Sequence, residues 1–231
     1  MSIRPLLAAA LAGVALAGAP GAGAQVPPSA GEVTAYRGLF EAAAKGDAKR
    51  LRALLAAGGK VADRDGYRRT PLHVAAYFGR HDVMRELVAA GADPNALEND
   101  RYDIVTIAAV ADDLPTLKVA LAIGCKATNV TSRYDGTALI AAAHLGHAEV
   151  VAELIRAGAP LDHVNNLHWT AVIEAVVLGD GGPRHQATLK HLIDARANLN
   201  LADRNGQTPL ALARGRGYAP MVRMLEAAGA R

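Results

Sequence analysis

The stretch TPLHVAAYFGRHDVMRELVAAGADPNA, residues 70–96, decides how the whole chain is read. After Thr70-Pro71, small apolar residues fall at i, i+3 and i+4 (Leu72, Ala75, Ala76), and Gly79 ends the run with a residue free to turn left-handed. A second segment sets Val83, Leu87 and Val88 on one face and stops at Gly91. Each helix is too short to be stable alone, so the pair needs neighbours to cover its apolar side.

The neighbours are present. Aligning GLFEAAAKGD, PLHVAAYFGR, IVTIAAVADD, ALIAAAHLGH, AVIEAVVLGD and PLALARGRGY produces a column of Leu39, Leu72, Val105, Leu139, Val172 and Leu210, at spacings of 33, 33, 34, 33 and 38. Three residues on, Ala42, Ala75, Ala108, Ala142, Ala175 and Ala213 align without exception. A later column holds Gly46, Gly79, Gly146, Gly179 and Gly217, broken by Asp112. LRALLAAGG, MRELVAAGA, LKVALAIGC, VAELIRAGA, LKHLIDARA and VRMLEAAGA superpose as second helices. Helix pairs in such register stack into a quasi-one-dimensional solenoid, and the alanine column lets their backbones approach.

Residues 70–96, together with DRNGQTPLALA (203–213), resemble the ankyrin repeat, marked by T-P-L-H-x-A at a period of 33. Thr70-Pro71-Leu72-His73 matches fully, Thr208-Pro209-Leu210 lacks the His, and the other units keep parts. The resemblance spans six repeats, about 33–65, 66–98, 99–132, 133–165, 166–203 and 204–231. It implies an all-α solenoid joined by β-hairpin-like fingers, with short first helices lining a concave face and repeats one and six as caps. It also implies that His73 hydrogen-bonds between repeats. The overall pattern is similar to exported bacterial ankyrin-repeat proteins.

The N-terminus supports export. MSIRPLLAAALAGVALAGAPGAGA carries Arg4, an apolar run from Leu6 to Ala19 and Ala22-Gly23-Ala24, an A-x-A cleavage signal. That run falls short of the roughly 20 residues that cross a bilayer. We expect a signal peptide cut after Ala24 and a periplasmic or secreted chain with no membrane span. QVPPSAGE, residues 25–32, reads as a short mobile linker. Losing Arg4 lowers the formal charge from +3 to +2, too weak a bias for nucleic-acid binding. The one cysteine, Cys125, excludes an internal disulfide, and its place after a terminal glycine points to a buried, inert thiol.

Candidate binding residues lie in the fingers. Only Gly206 keeps the glycine four residues before the Leu column; Arg68, Arg101, Asp135 and His168 replace it elsewhere. Beside them stand Tyr67, Tyr102, Tyr134 and Trp169, four of the chain's nine aromatic residues. Tyr, Trp and Arg anchor interfaces, so these positions are expected to hold a protein partner. The alternative is that the rings pack on neighbouring fingers and stiffen the row. By the resemblance, Tyr77 and Phe78 face the concave side.

No zinc-ligand spacing, catalytic signature or Walker loop is present, so no metal, cofactor or catalytic residue is expected. Asp112 and Asp113 read as caps of the helix that follows, with Pro115 near its start. Asp103-Ile104 in place of Thr-Pro is expected to weaken a helix start, and Arg196 stands where other second helices end in glycine. LGDGGPRHQATLKHL, residues 178–192, is longer than its counterpart one repeat earlier by five residues. Gly179 reads there as the ordinary turn glycine, Pro183 as the first helical residue, and Asp180, Arg184 and His185 as a secondary contact loop. The resulting expectation is a monomeric, non-catalytic, exported protein-binding module. The alternatives are a small-ligand protein or enzyme using residues 180–185, or a secreted effector of a host protein.

Overall fold

The computed structural model describes residues 26–231; the expected signal peptide lies outside the described residues. Thirteen helices and one two-stranded antiparallel sheet follow in order. A leading helix, α1 (Ala30–Ala35), precedes six helix pairs: α2 (Gly38–Lys45) with α3 (Ala48–Ala56), α4 (Pro71–Tyr77) with α5 (His81–Ala89), and α6 (Ile104–Val110) with α7 (Leu114–Ala122). Then come α8 (Ala138–Leu145) with α9 (Ala148–Arg156), α10 (Ala171–Val177) with α11 (Pro183–Asp194), and α12 (Pro209–Gly215) with α13 (Ala219–Ala227). First helices stack on first helices and second helices on second helices along the row.

Local chemistry sets the boundaries. Thr70, Thr137, Thr170 and Thr208 each cap a first helix by accepting from the backbone N–H three residues on. Asp103 does the same for α6, accepting from Thr106 at 2.7 Å, so the departure from Thr-Pro leaves that helix properly capped. An aspartate oxygen accepts an N-cap bond as well as a threonine hydroxyl does. Of the expected pair of caps, Asp113 caps α7, accepting from Thr116, whereas Asp112 is not a cap and takes the left-handed turn position before it. Ala42, Ala75, Ala108, Ala142, Ala175 and Ala213 are all buried, the contact surface of the stacked first helices.

Residues 26–32, the described part of the expected linker, make defined contacts with the repeats. Ser29 caps α1 in a reciprocal box with Glu32, and Glu32 pairs with the buried Arg69 of the next finger. The same guanidinium donates to the Val26 carbonyl at 3.1 Å, which ties the leading segment to the first finger.

The fingers are tight turns; only Val130–Thr131 and Gly136–Thr137 pair as strands, in the register Val130↔Thr137 and Thr131↔Gly136. Seven residues before the Leu column, each internal finger carries a polar side chain that pins two backbone N–H groups. Asp65 accepts from Tyr67 and Arg69. Glu98 serves Asp100 and Tyr102, and Ser132 serves Tyr134 and Gly136. Asn165 serves Leu167 and Trp169, and Asp203 serves Asn205 and Gln207. Neighbouring fingers also touch through backbone bonds from Asn99 to Tyr67, Ser132 to Arg101 and Asn166 to Tyr134. The fingers therefore form one connected edge. No helix among the described residues is long and apolar enough to cross a membrane.

Candidate partner-binding surface

The position four residues before the Leu column is left-handed in every internal finger: Arg68, Arg101, Asp135 and His168 have φ of 58°, 65°, 51° and 63°, and Gly206 has 74°. Residues with a Cβ pay roughly 1–2 kcal/mol there. A residue held in a strained conformation is a pointer to function when the surroundings fix it so firmly. Replacing the four with glycine is expected to raise stability by about 2–3 kcal/mol in all, after the larger chain entropy of unfolded glycine is offset. The urea midpoint measures it; an unchanged or lower midpoint would refute the strain account.

All four of these side chains are exposed, and Arg101 reaches the next finger's Asp135 at 2.9 Å. The aromatic residues divide by register. Tyr67 and Tyr134, one residue before the left-handed position, lie toward solvent, Tyr67 with 39% of its surface exposed and Tyr134 half-buried. Tyr102 and Trp169, one residue after it, turn inward. Tyr102 is only 6% exposed, which corrects the expectation that it projects from a finger tip; Trp169 is half-buried. The inward position is the one Arg69 fills, fully buried, in the first finger. Tyr67 has a second task, since its ring lies 4.8 Å from the Arg69 guanidinium, within cation–π range. Tyr77 and Phe78 are half-buried and packed on the core, so they offer edges rather than whole rings.

The sequence reading missed three residues of this surface. Val130, Val164 and Leu167 are exposed, and with Tyr67 they are the exposed large apolar side chains among the described residues. All four lie on fingers. Leu167 occupies the same outward position as Tyr67 and Tyr134, five residues before the Leu column, which was the available signal.

The 178–192 segment is a strap. Among the turn glycines, Gly46, Gly79, Gly146 and Gly217 are left-handed and Asp112 takes their place in the third repeat at φ 57°. Gly179 shares their column without sharing their conformation; Gly181, at φ 70°, makes that turn instead. The insertion also lengthens α11, which has 12 residues where α9 has nine. Its polar groups are spent inside the molecule. Asp180 accepts from the Gly182 N–H, His185 bridges Asp180 and the His144 carbonyl, and Arg184 pairs with Asp112 at 3.2 Å. Tyr218 donates to the Gly179 carbonyl from the last repeat. The segment thus links repeats three to six at the end opposite the fingers; Asp180 and Arg184 remain largely exposed, whereas the His185 side chain is mostly covered.

The remaining singular residues are structural. Thr70's N–H donates to His73 Nδ1, so Nε2 carries the proton it donates to Ala96 O at 3.0 Å, tying the first helix of repeat two to the C-terminal end of the same repeat rather than to its neighbour; burial pushes this imidazole down to about 4. Cys125 is buried, and desolvation pushes its thiol far above the usual range. Arg196 is held left-handed at φ 66°, where the other second helices use glycine. Among the described residues no three His, Cys, Asp or Glu side chains gather as metal ligands would.

A row of helix pairs with a connected edge of fingers and a small-residue stacking seam defines a helical-repeat binding scaffold. Residues 27–98 and 105–203 match the family described as Ankyrin repeats (3 copies), and the chain belongs to the ankyrin-repeat family. It is similar to the ankyrin repeat protein YahD of Escherichia coli (strain K12), 33% identical over 82% of this chain and 94% of that protein. An ankyrin repeat domain from Acinetobacter baumannii AYE superposes with a TM-score of 0.78 at 40% identity, covering 84% of this chain and 98% of that one. The ankyrin repeat domain of Bcl-3, of the IκB family, superposes with a TM-score of 0.75 at 28% identity over 85% of this chain and 87% of that one. Ankyrin repeats are in general protein–protein interaction modules without catalytic activity.

Proposed function

We propose that this protein is a non-catalytic interaction module, exported to the bacterial envelope or beyond, that grips a partner protein along its fingers and concave face. One observation carries the reading: every exposed large apolar side chain among the described residues lies on a finger. Apolar side chains scattered singly over a surface need no explanation, but their confinement to one edge is what an interface presents. Arg68, Arg101 and His168 supply the polar rim around Tyr67, Tyr134, Leu167 and Trp169.

The test is a cross-linked capture from native envelope, comparing wild type with Tyr67, Tyr134, Leu167 and Trp169 changed together to Ala. Loss of the wild-type partners, with the helical signal retained, is expected; a folded variant that recovers the same partners would end the finger reading. Export rests on residues 1–24. Deleting them is expected to leave the protein in the cytoplasm, and periplasmic recovery of the truncated form would remove that part of the proposal.

A further inference from the structure

A small cavity of about 40 Å³ opens between the third finger and helices α8 and α10, with Asn165 of the fourth finger at its edge. Its cause is local. Two residues beyond the Leu column, the neighbouring first helices carry Val74 and Ile107, but α8 carries Ala141 and α10 carries Glu174. The small alanine leaves room, and the carboxylate stands where its neighbours are apolar. By the one-probe-sphere measure the space holds roughly three waters, enough for a small charged group and its first methylene.

Glu174 is only 4% exposed. Its Oε1 accepts from Asn165 Nδ2 at 3.0 Å, and its Oε2, equally buried, makes no hydrogen bond. A buried acceptor left open costs free energy, so an unfilled one directed into a cavity marks a place for a donor. The nearest ionisable group is His144 Nδ1 at 3.5 Å. Burial raises Glu174 to about 7 and lowers His144, so the unliganded pair resists charging. Of the other polar walls, the Thr106 and Thr131 hydroxyls bond each other at 2.9 Å, and the Ser132 and Thr137 hydroxyl oxygens accept backbone N–H groups. Tyr134 and Ile140 border the cavity with ring and aliphatic surface suited to a methylene stem.

We propose that this cavity is a socket for a primary ammonium group, presented as a lysine side chain by the bound partner. An ammonium is compact and brings three donors, one of which satisfies Glu174 Oε2; a guanidinium is a wider plane, less suited to so small a space. The groups facing Glu174 are His144 from α8, Asn165 from its own finger, and Tyr102 and Tyr134 from the preceding two. His147 and His185 act on His144 from the helix turns. A cation binds the ionised carboxylate, so affinity rises with pH through about 7 and levels above it. The lysine source rests on the partner-binding reading above; the ammonium chemistry does not.

The test is an NMR titration of the full chain, following the His144 ring and the Glu174 and Asn165 amides. The probes are Nα-acetyl-lysine methylamide, its neutral norleucine analogue, and n-butylamine. The lysine compound is expected to bind at least tenfold more tightly than the norleucine one, and more tightly at pH 8 than at pH 6. Glu174→Gln is expected to weaken it tenfold or more, and Ala141→Leu, which fills the space with the carboxylate intact, is expected to abolish it. Equal binding of the norleucine compound, or undiminished binding by a folded Glu174→Gln or Ala141→Leu variant, overturns the socket. Binding of butylamine but not of the lysine compound overturns the partner lysine as its source. The titration uses no partner, so failed capture by the finger variants leaves the ammonium result untouched.

Discussion

Arg69→Ala is expected to destabilise the protein by about 3–5 kcal/mol, the usual consequence of removing one member of a buried ion pair. The guanidinium is fully buried and donates to Asp65 at 2.7 Å, to Glu32 and to the Val26 carbonyl. Asp65 also accepts from the Tyr36 hydroxyl at 2.6 Å, so one carboxylate ties helix α1 to the first finger. Burial works to raise Asp65, but the hydrogen bonds from Tyr36 and Arg69 outweigh it and hold its carboxyl below the ordinary range. A depressed carboxyl contributes stability at neutral pH that is lost as pH falls through its folded value, so the clamp should loosen in acid. Urea unfolding measures the size of the effect, and hydrogen exchange its location: protection should vanish over residues 29–36 while repeats four to six keep theirs. Arg69→Met, which keeps the volume without the charge, isolates the electrostatic part. A loss below about 1 kcal/mol for Arg69→Ala would show that the clamp does not hold the segment, since exposed pairs are worth that little.

Ala142→Leu is expected to cost at least about 3 kcal/mol, at or beyond the upper end for overpacking a core. Ala142 is fully buried in the seam where α8 meets the first helices on both sides, and its column admits nothing larger than alanine in any repeat. Repeats contact only their neighbours, so the damage should propagate along the row rather than through a common core. Exchange should rise in repeats three to five while the Arg69 clamp at the far end keeps its protection. A variant with unchanged midpoint would mean that the seam has slack, and the explanation for the alanine column would fail.

The repeat number, the helix pairs and their caps were legible in the sequence. Each depends on residues within a few positions of one another: Thr170 reaches Ile173, and Gly146 turns left-handed by its own freedom. The alanine column announced close stacking because period and residue size agree over six repeats. Even the left-handed finger positions were marked, by four residues standing where Gly206 keeps the expected glycine.

What the sequence did not show depends on partners far along the chain. Tyr67 and Tyr102 look alike in the string, two aromatics beside an arginine. Their fates separate because Tyr67 precedes the left-handed residue and Tyr102 follows it, so the turn sends one ring to solvent and the other beneath the finger. Arg69 read as an unremarked residue after Arg68 until Glu32, 37 positions earlier, folded back onto it. The glycine-rich stretch at 179–182 looked like an extended turn, and only packing against His144, Asp112 and Tyr218 made it a strap. Glu174 passed as one charge on a helix; the small Ala141 one repeat earlier is what gives its carboxyl a cavity to face. Local hydrogen bonds and side-chain size determine each repeat, and sequence carries both. Burial and exposure along the fingers and the concave face are set by contacts between repeats, and those only the tertiary structure decides.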